Sequence, residues 1–325
     1  MSAPTLSQLN PRRHLLSREL RSSWQVGDTF AINSPSKARR CILPDVTLSV
    51  VIITHNEEAN LGGTLESVKP LVCDGKGEII IVDSGSTDRT IEIAKSFGAK
   101  VFVEDWKGFA GQKNSANDKA TGDWNLSLDA DEEVGDVARS FILRVLSGSH
   151  EVLSLSAGFW FSRRNYFLGR WIRHGGFYPD SKLRLLKRGR GRYEDRAVHE
   201  DVKLQPDQQA YDASLHYDSG GRFDIIHHSY PTLSDYIEHM NRYSSLGAEM
   251  LVAEGKAKVR FSIINIVLRP LATFVYNYFF RLGFLDGREG LLLHLYHAVY
   301  VSLKYAKAWE LSRNQSSRAR DRPAA

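Results

Sequence analysis

The sequence has little cysteine. Cys41 and Cys73 are two in 325 residues, too few for the disulfide framework of a small secreted domain or for a four-thiolate zinc site. That scarcity favours a reducing compartment. Residues 1–45, rich in Ser, Arg and Pro, lack the apolar block of a secretory signal and read as a flexible extension that is not exported. No G-x-G-x-x-G follows the first strand-like run, which disfavours a dinucleotide-dependent oxidoreductase. A helix-turn-helix, zinc-finger or RNP signature is also missing, so nucleic acid is not an expected partner. Internal repeats and heptads are absent.

What remains is ordinary globular material, 42% hydrophobic and 25% charged, with a net charge of +5. At roughly 150 residues per domain the length suits about two domains. The charge is unevenly placed. Between Arg163 and Arg196 eleven Lys or Arg face only Asp180, Glu194 and Asp195, so this segment is more basic than the whole chain and the rest is slightly acidic. Such a segment suits an anionic ligand or an anionic membrane surface.

Order begins at Leu48. The run LSVVIIT is unbroken and β-branched, as in a strand buried on both faces of a parallel sheet. A helix over 59–72, a strand over 78–82, a helix over 86–97, a strand over 100–104, a helix over 111–120 and a strand over 124–128 follow. This alternation predicts an α/β fold with a mainly parallel sheet flanked by helices. Ligands of such sheets sit outside the carboxyl ends of the strands. Asn56 and Glu57, Asp83, and Asp129 with Asp131 all fall there. The Asp-x-Asp of residues 129–131 suits a hard cation such as Mg²⁺ or Mn²⁺ that shares its oxygens with a substrate phosphate. The same acidic run, extended by Glu132 and Glu133, also suits the first turn of a helix.

The stretch 159–204 is basic and aromatic and reads as irregular loops around short strands. Residues 235–254 form an amphipathic helical pattern. Residues 261–280 are apolar except for Arg269, which precedes Pro270. Twenty helical residues reach about 30 Å, the thickness of a bilayer core, but a central Arg costs at least about 2.5 kcal/mol and Pro kinks a helix. A broken hairpin lying in a membrane interface is therefore expected, turning at 283–290 and returning along 291–309. A helical subdomain packed on the core is the competing expectation.

The ordered segments LSVVIITHNEE, EIIIVDSGSTDRT, KGFAGQKNSANDKATGDW and LSLDADEE resemble the inverting glycosyltransferase family 2 domain of the GT-A fold. RHGGFYPDSKLRLLKRGRGRYEDRAVHEDV, HHSYPTLSDYIEHMNRYSSLGAE and FRLGFLDGREGLLLHLYHAVYVSLKYAK resemble its lipopolysaccharide core β-1,4-glucosyltransferase branch. The resemblance covers roughly residues 48 to 308. It implies a GT-A domain over 46–230, with a nucleotide-sugar half to 135 and an acceptor half after it. A helical membrane-associating region over 231–310 and a disordered tail follow.

The resemblance further implies that Asn56 and Glu57 border the nucleotide, that Asp83 accepts a hydrogen bond from the base and that Lys113 faces the diphosphate. Asp129 would touch the ribose beside the metal, Asp131 would ligate the metal, and His227 would close over the diphosphate or metal. An inverting transfer needs a base in the second half of the chain. Glu200 is the first candidate, Asp180 the second, and Glu194 or Asp195 the third. Arg184 and Arg188 are expected to bind an anionic acceptor through guanidinium contacts. Trp160, Tyr166, Trp171, Phe177 and Tyr178 are candidates for stacking on sugars.

The expected function is transfer of a hexose, glucose foremost, from a UDP-sugar to a lipid-linked saccharide at the cytoplasmic face of a membrane. A polyprenyl-phosphate glycosyltransferase is the alternative. A protein that only binds anionic membranes stands third.

Overall fold

The computed structural model describes residues 47–73, 77–148, 155–194, 201–215, 217–218, 221–253 and 261–320. The apolar runs set its centre. Strands β1 (Leu48–Thr54), β2 (Gly77–Asp83), β3 (Lys100–Val103) and β4 (Trp124–Asp129) lie side by side in the order β3-β2-β1-β4 and are parallel. Alternation along β1 sends Val50 and Ile52 to one face and Val51 to the other. Helices α1 (Leu61–Val68), α2 (Thr90–Ser96) and α4 (Asp136–Leu146) cover the first face, where Leu65, Ala94, Phe141 and Ile142 join the main core. Helix α3 (Gly108–Lys119) covers the second with Ala116 against Val51, Ile80 and Val82.

The sheet continues through the basic stretch, where only short strands were expected. After the short β5 (Glu132–Val134), β6 (Gly158–Phe167) is ten residues long. The two-residue β7 (Arg170–Trp171) turns back on it, and β8 (Asp180–Lys187) inserts antiparallel between β4 and β6. A small hairpin, β9 (Gly191–Tyr193) with β10 (Val202–Leu204), follows. Next come β11 (Ala210–Asp212) on the edge of β6, the pair β12 (Tyr217–Asp218) and β13 (Gly221–Arg222), and β14 (Asp224–Tyr230). The path is completed as β8-β6-β14-β5. The acidic run 131–133 thus enters a strand pairing His227 with Glu132 rather than a helix.

Helix α5 (Leu233–Ala253) crosses to the C-terminal hairpin. There the chain stays helical through Pro270. A π-helical stretch at Ile264–Leu268 leads into α6 (Arg269–Val275), another follows at Tyr276–Phe280, and a 3-10 turn at Gly283–Asp286 starts α7 (Gly287–Arg320). Pro270 sits at the start of the α turn, where its missing N–H costs least. Arg269 donates to the Tyr305 hydroxyl of α7 at the surface, and the expected break is replaced by the two wide π-helical stretches. The hairpin also packs on the domain through Phe167, Ile172, Tyr236, Met240 and Leu293. Among the described residues no helix is long and apolar enough to cross a membrane.

Two glycines fasten this hairpin to the loop between β7 and β8. Gly175 and Gly176 have φ of 69° and 86°, the region open to glycine. A Cβ on Gly175 would lie 1.9 Å from the His294 ring, and one on Gly176 2.0 Å from the Arg281 guanidinium. Buried Asp286 accepts hydrogen bonds from the amides of Arg173 and His174, at 3.1 and 2.8 Å.

Candidate active site

A cavity of about 1010 Å³ opens at the carboxyl ends of β1 and β4. The sheet delivers its charged lining from separate strands. Asp129 ends β4, Arg163 comes from β6, Lys182 and Arg184 lie two apart on β8, and His227 sits on β14. Lys113 of α3 reaches in from the other face.

Asp129 is held from both sides. Lys113 Nζ lies 2.9 Å from its Oδ1, and Arg184 Nη2 donates to its Oδ2 at 2.6 Å. Burial pushes the Asp129 carboxyl up, but Arg184, Lys113 and Arg163 outweigh it and hold the group well below the ordinary range. Glu132, fully buried, accepts from Arg184, from Arg163 at 3.2 Å and from the Asp129 amide at 3.1 Å. It braces the Asp-x-Asp turn from beneath.

Asp131 is placed differently. Its Oδ2 faces His227 Nε2 at 3.3 Å, with a quarter of its side chain exposed. Asn165 donates its amide N–H to the Phe177 carbonyl at 3.2 Å, which turns its Oδ1 to His227 Nδ1 at 2.7 Å. Ser229 Oγ lies 2.7 Å from the same Nδ1, so that nitrogen is engaged on the far side of the ring and Nε2 is left facing the Asp131 carboxylate. A nitrogen and a carboxylate oxygen at that distance can share either a proton or a cation. Among the described residues no group of three or more His, Cys, Asp or Glu would hold a metal alone. The Asp131–His227 pair fits an ion that takes its remaining ligands from substrate oxygens, with Asn165 orienting the imidazole from outside.

The structure brings Glu57, Lys113, Asp129, Asp131, Arg184 and His227 into this one cavity. It corrects four other expectations. Asp83 is fully buried, and its carboxylate accepts from Thr54 Oγ1 and from the amides of Gly85 and Ser86. It shapes its own loop and has no face for a base; Ser84, the next residue, lines the cavity and accepts from Gln112 at 3.2 Å. Arg184 is buried against Asp129 and Glu132, so its charge is spent within the site. Arg188 lies beyond the far end of β8, its amide bonded to the Asp123 carbonyl at the start of β4. The length of a strand separates it from the cavity.

Asp180 is the fourth. Arg163 Nε holds it at 2.9 Å, and although burial pushes its carboxyl up, Arg163 and Lys182 keep it below the ordinary range. A carboxylate so paired is a poor proton acceptor. Glu200 and Asp195 lie outside the described residues. Glu194 bonds through its amide to the Asp201 carbonyl.

Asn56, with φ of 56°, stands at the rim and accepts from the Thr87 amide at 2.8 Å. Glu57 lines the cavity. Burial, opposed by the Asn60 amide and reinforced by Asp131, Asp88 and Asp129, raises its carboxyl above the usual value. Of the proposed stacking rings, Trp160 and Phe177 line the cavity. Trp171 and Tyr178 instead pack against each other beside Arg164, and Tyr166 lies against His228.

Sequence reasoning missed Arg163, Glu132 and Asp201. Of the described carboxylates in the second half of the chain, Asp201 lines the cavity. Arg163 was legible in principle, since alternation along β6 must send Arg163 and Arg164 to opposite faces.

Carboxylates at the strand ends of an α/β sheet, answered by a lysine and two arginines, form a charged site where such sheets place their ligands. The model of glycosyl transferase family 2 matches residues 49–139. The lipopolysaccharide core biosynthesis glycosyltransferase LpsC of Rhizobium meliloti is 31% identical over 83% of this chain and 94% of its own. An uncharacterised glycosyltransferase of Rickettsia typhi is 30% identical over 82% and 87%. The chain belongs to glycosyltransferase family 2. Among solved structures, Staphylococcus aureus TarS residues 1–349 in complex with UDP aligns at a TM-score of 0.40 and 16% identity, over 83% of this chain and 92% of that one.

Proposed function

We propose that this chain is an inverting glycosyltransferase that moves a hexose, glucose foremost, from a UDP-sugar to a lipid-linked saccharide such as a lipopolysaccharide inner core. The observation that carries the reading is His227 Nε2 facing the Asp131 carboxylate at 3.3 Å across the cavity. These two residues would hold Mg²⁺ or Mn²⁺, which neutralises charge on a departing diphosphate. Lys113 and Arg184 fix the Asp129 carboxylate rigidly beside that position, where it can accept from a ribose hydroxyl. Glu57 and Ser84 border the nucleotide. Arg163 and Lys182 place positive charge near where the departing diphosphate would develop negative charge, and they need no reorganisation to do so.

The proton of the attacking hydroxyl goes to the Glu200-Asp201 pair, in which Asp201 faces the cavity. Either Glu200→Gln or Asp201→Asn is expected to keep UDP binding and lower transfer about 10²-fold. Equal, unchanged rates in both variants would remove the base from this segment.

A peripheral place on a membrane is supported by the outer side of the hairpin. Ile264, Leu271, Phe279 and Phe280 there are 53–75% exposed, an apolar face of the kind that enters lipid headgroups.

The test is UDP release from a panel of UDP-, GDP- and dTDP-sugars with Mg²⁺ or Mn²⁺, with and without bacterial glycolipid. The expected result is release from one UDP-hexose, stimulated by glycolipid and lost with chelator. Stimulation by undecaprenyl phosphate in place of glycolipid would establish the polyprenyl-phosphate alternative.

A further inference from the structure

The cavity has two chemically distinct halves. The half beneath the sheet ends carries Lys113, Asp129, Asp131, Arg163, Lys182 and Arg184. The opposite wall is built by α5 and α7. Tyr236, Tyr243 and Leu246 come from the first, and His297 and Tyr300 from the second. The only charged side chain the two helices add to the lining, among the described residues, is Arg242. Its guanidinium lies over the rings of Phe109 and Tyr243, at 6.0 and 5.4 Å.

The rings of this wall form a connected array. Tyr230 meets Tyr236 edge-on at 4.8 Å, His239 stacks on Tyr243 at 3.9 Å, and His297 stacks on Tyr300 at 5.7 Å. The array is also electrically neutral where burial controls it. Burial pushes the His297 imidazole down to about 3 and raises the phenols of Tyr230, Tyr236 and Tyr300. Ring faces and neutral hydroxyls suit a ligand with C–H faces and many hydroxyl groups. A phosphate or carboxylate entering here would lose its water and, among the described residues, meet the ring-stacked Arg242 and Lys304, whose ammonium lies 5.9 Å from the Tyr300 ring and is disfavoured by burial.

We propose that the α5–α7 wall is the acceptor subsite, that it takes an uncharged sugar ring, and that Tyr243 and Tyr300 are its principal contacts. This deepens the transferase reading and rests on it for the word acceptor. The aromatic wall places any phosphate of the acceptor away from α5 and α7, which separates this proposal from the expectation of an anionic group bound by Arg184 and Arg188.

Direct binding tests it without turnover. Saturation-transfer NMR on the full chain, titrated with methyl α- and β-glycosides of common hexoses, is expected to show binding of at least one. Tyr243→Ala or Tyr300→Ala should weaken that binding at least tenfold, with the Kd for UDP unchanged. Tyr243→Phe and Tyr300→Phe keep the rings and are expected to retain most of it, which guards against misfolding of the alanine variants. Glycoside binding indifferent to all four variants, no glycoside binding at all, or displacement of the glycoside by inorganic phosphate would overturn the proposal. A wild-type protein that binds glycosides in this Tyr-dependent way yet turns over no nucleotide sugar would instead count against the transferase reading.

Discussion

Asp131→Ala is expected to lower transfer roughly 10³-fold or more, because a metal contributes several kcal/mol of charge stabilisation and each 1.36 kcal/mol is tenfold. The loss should be specific to chemistry. Asp131 is a quarter exposed, meets only the His227 ring through its side chain at 3.3 Å, and is tied into the sheet through its carbonyl, to which the His228 amide donates at 3.0 Å. The variant keeps that carbonyl, so its circular dichroism and urea midpoint should match the parent. Metal-dependent protection by UDP against thermal unfolding should vanish with the activity. A variant that still turns over with metal would remove Asp131 from the ion.

Glu132→Ala, one position away, should fail in the opposite manner. Its carboxylate has no exposure and is shared by Arg163, Arg184 and the Asp129 amide. Removing one partner of a buried charge network costs about 3–5 kcal/mol, read as a large drop in urea midpoint. Glu133→Ala, next along the chain, is the internal control. Its pair with His228 at 3.1 Å is partly exposed, and its loss should cost no more than about 1 kcal/mol. Equal stability of the two variants would contradict the bracing role. The network also predicts acid lability. Because the folded Asp129 carboxyl lies well below its ordinary value of 3.8, its contribution is complete above that value and is lost as pH falls toward the folded one.

The first four strands were legible because each is an apolar run bounded by polar turns, and those runs carry the Asp-x-Asp to the correct sheet edge. The acceptor half was harder to read. Strands β6 and β8 carry Arg163, Arg164, Lys182 and Arg184 within them, and a count of charge along the chain merges these with Arg188, Arg190 and Arg192 into one basic patch. Pairing divides that patch. Arg163 and Arg184 turn to the carboxylates, Arg164 goes to Asp224 on the other face, and Arg188 is left at the far edge. Asp83 misled for a related reason. Its place at a strand end was readable, but hydrogen bonds from Gly85 and Ser86 turn it inward, and only three-dimensional contact reveals that the neighbouring serine takes the open side.

The C-terminal hairpin has two working surfaces on one helix. His297 and Tyr300 of α7 line the cavity, while Leu291, Leu295 and Val299, each 40–48% exposed, form a stripe at i, i+4 spacing on its opposite side. A helix with its side chains is about 10–12 Å across. The charged cavity and the apolar stripe are therefore held about one helix diameter apart, a fixed spacing set by a single helix rather than by a loop.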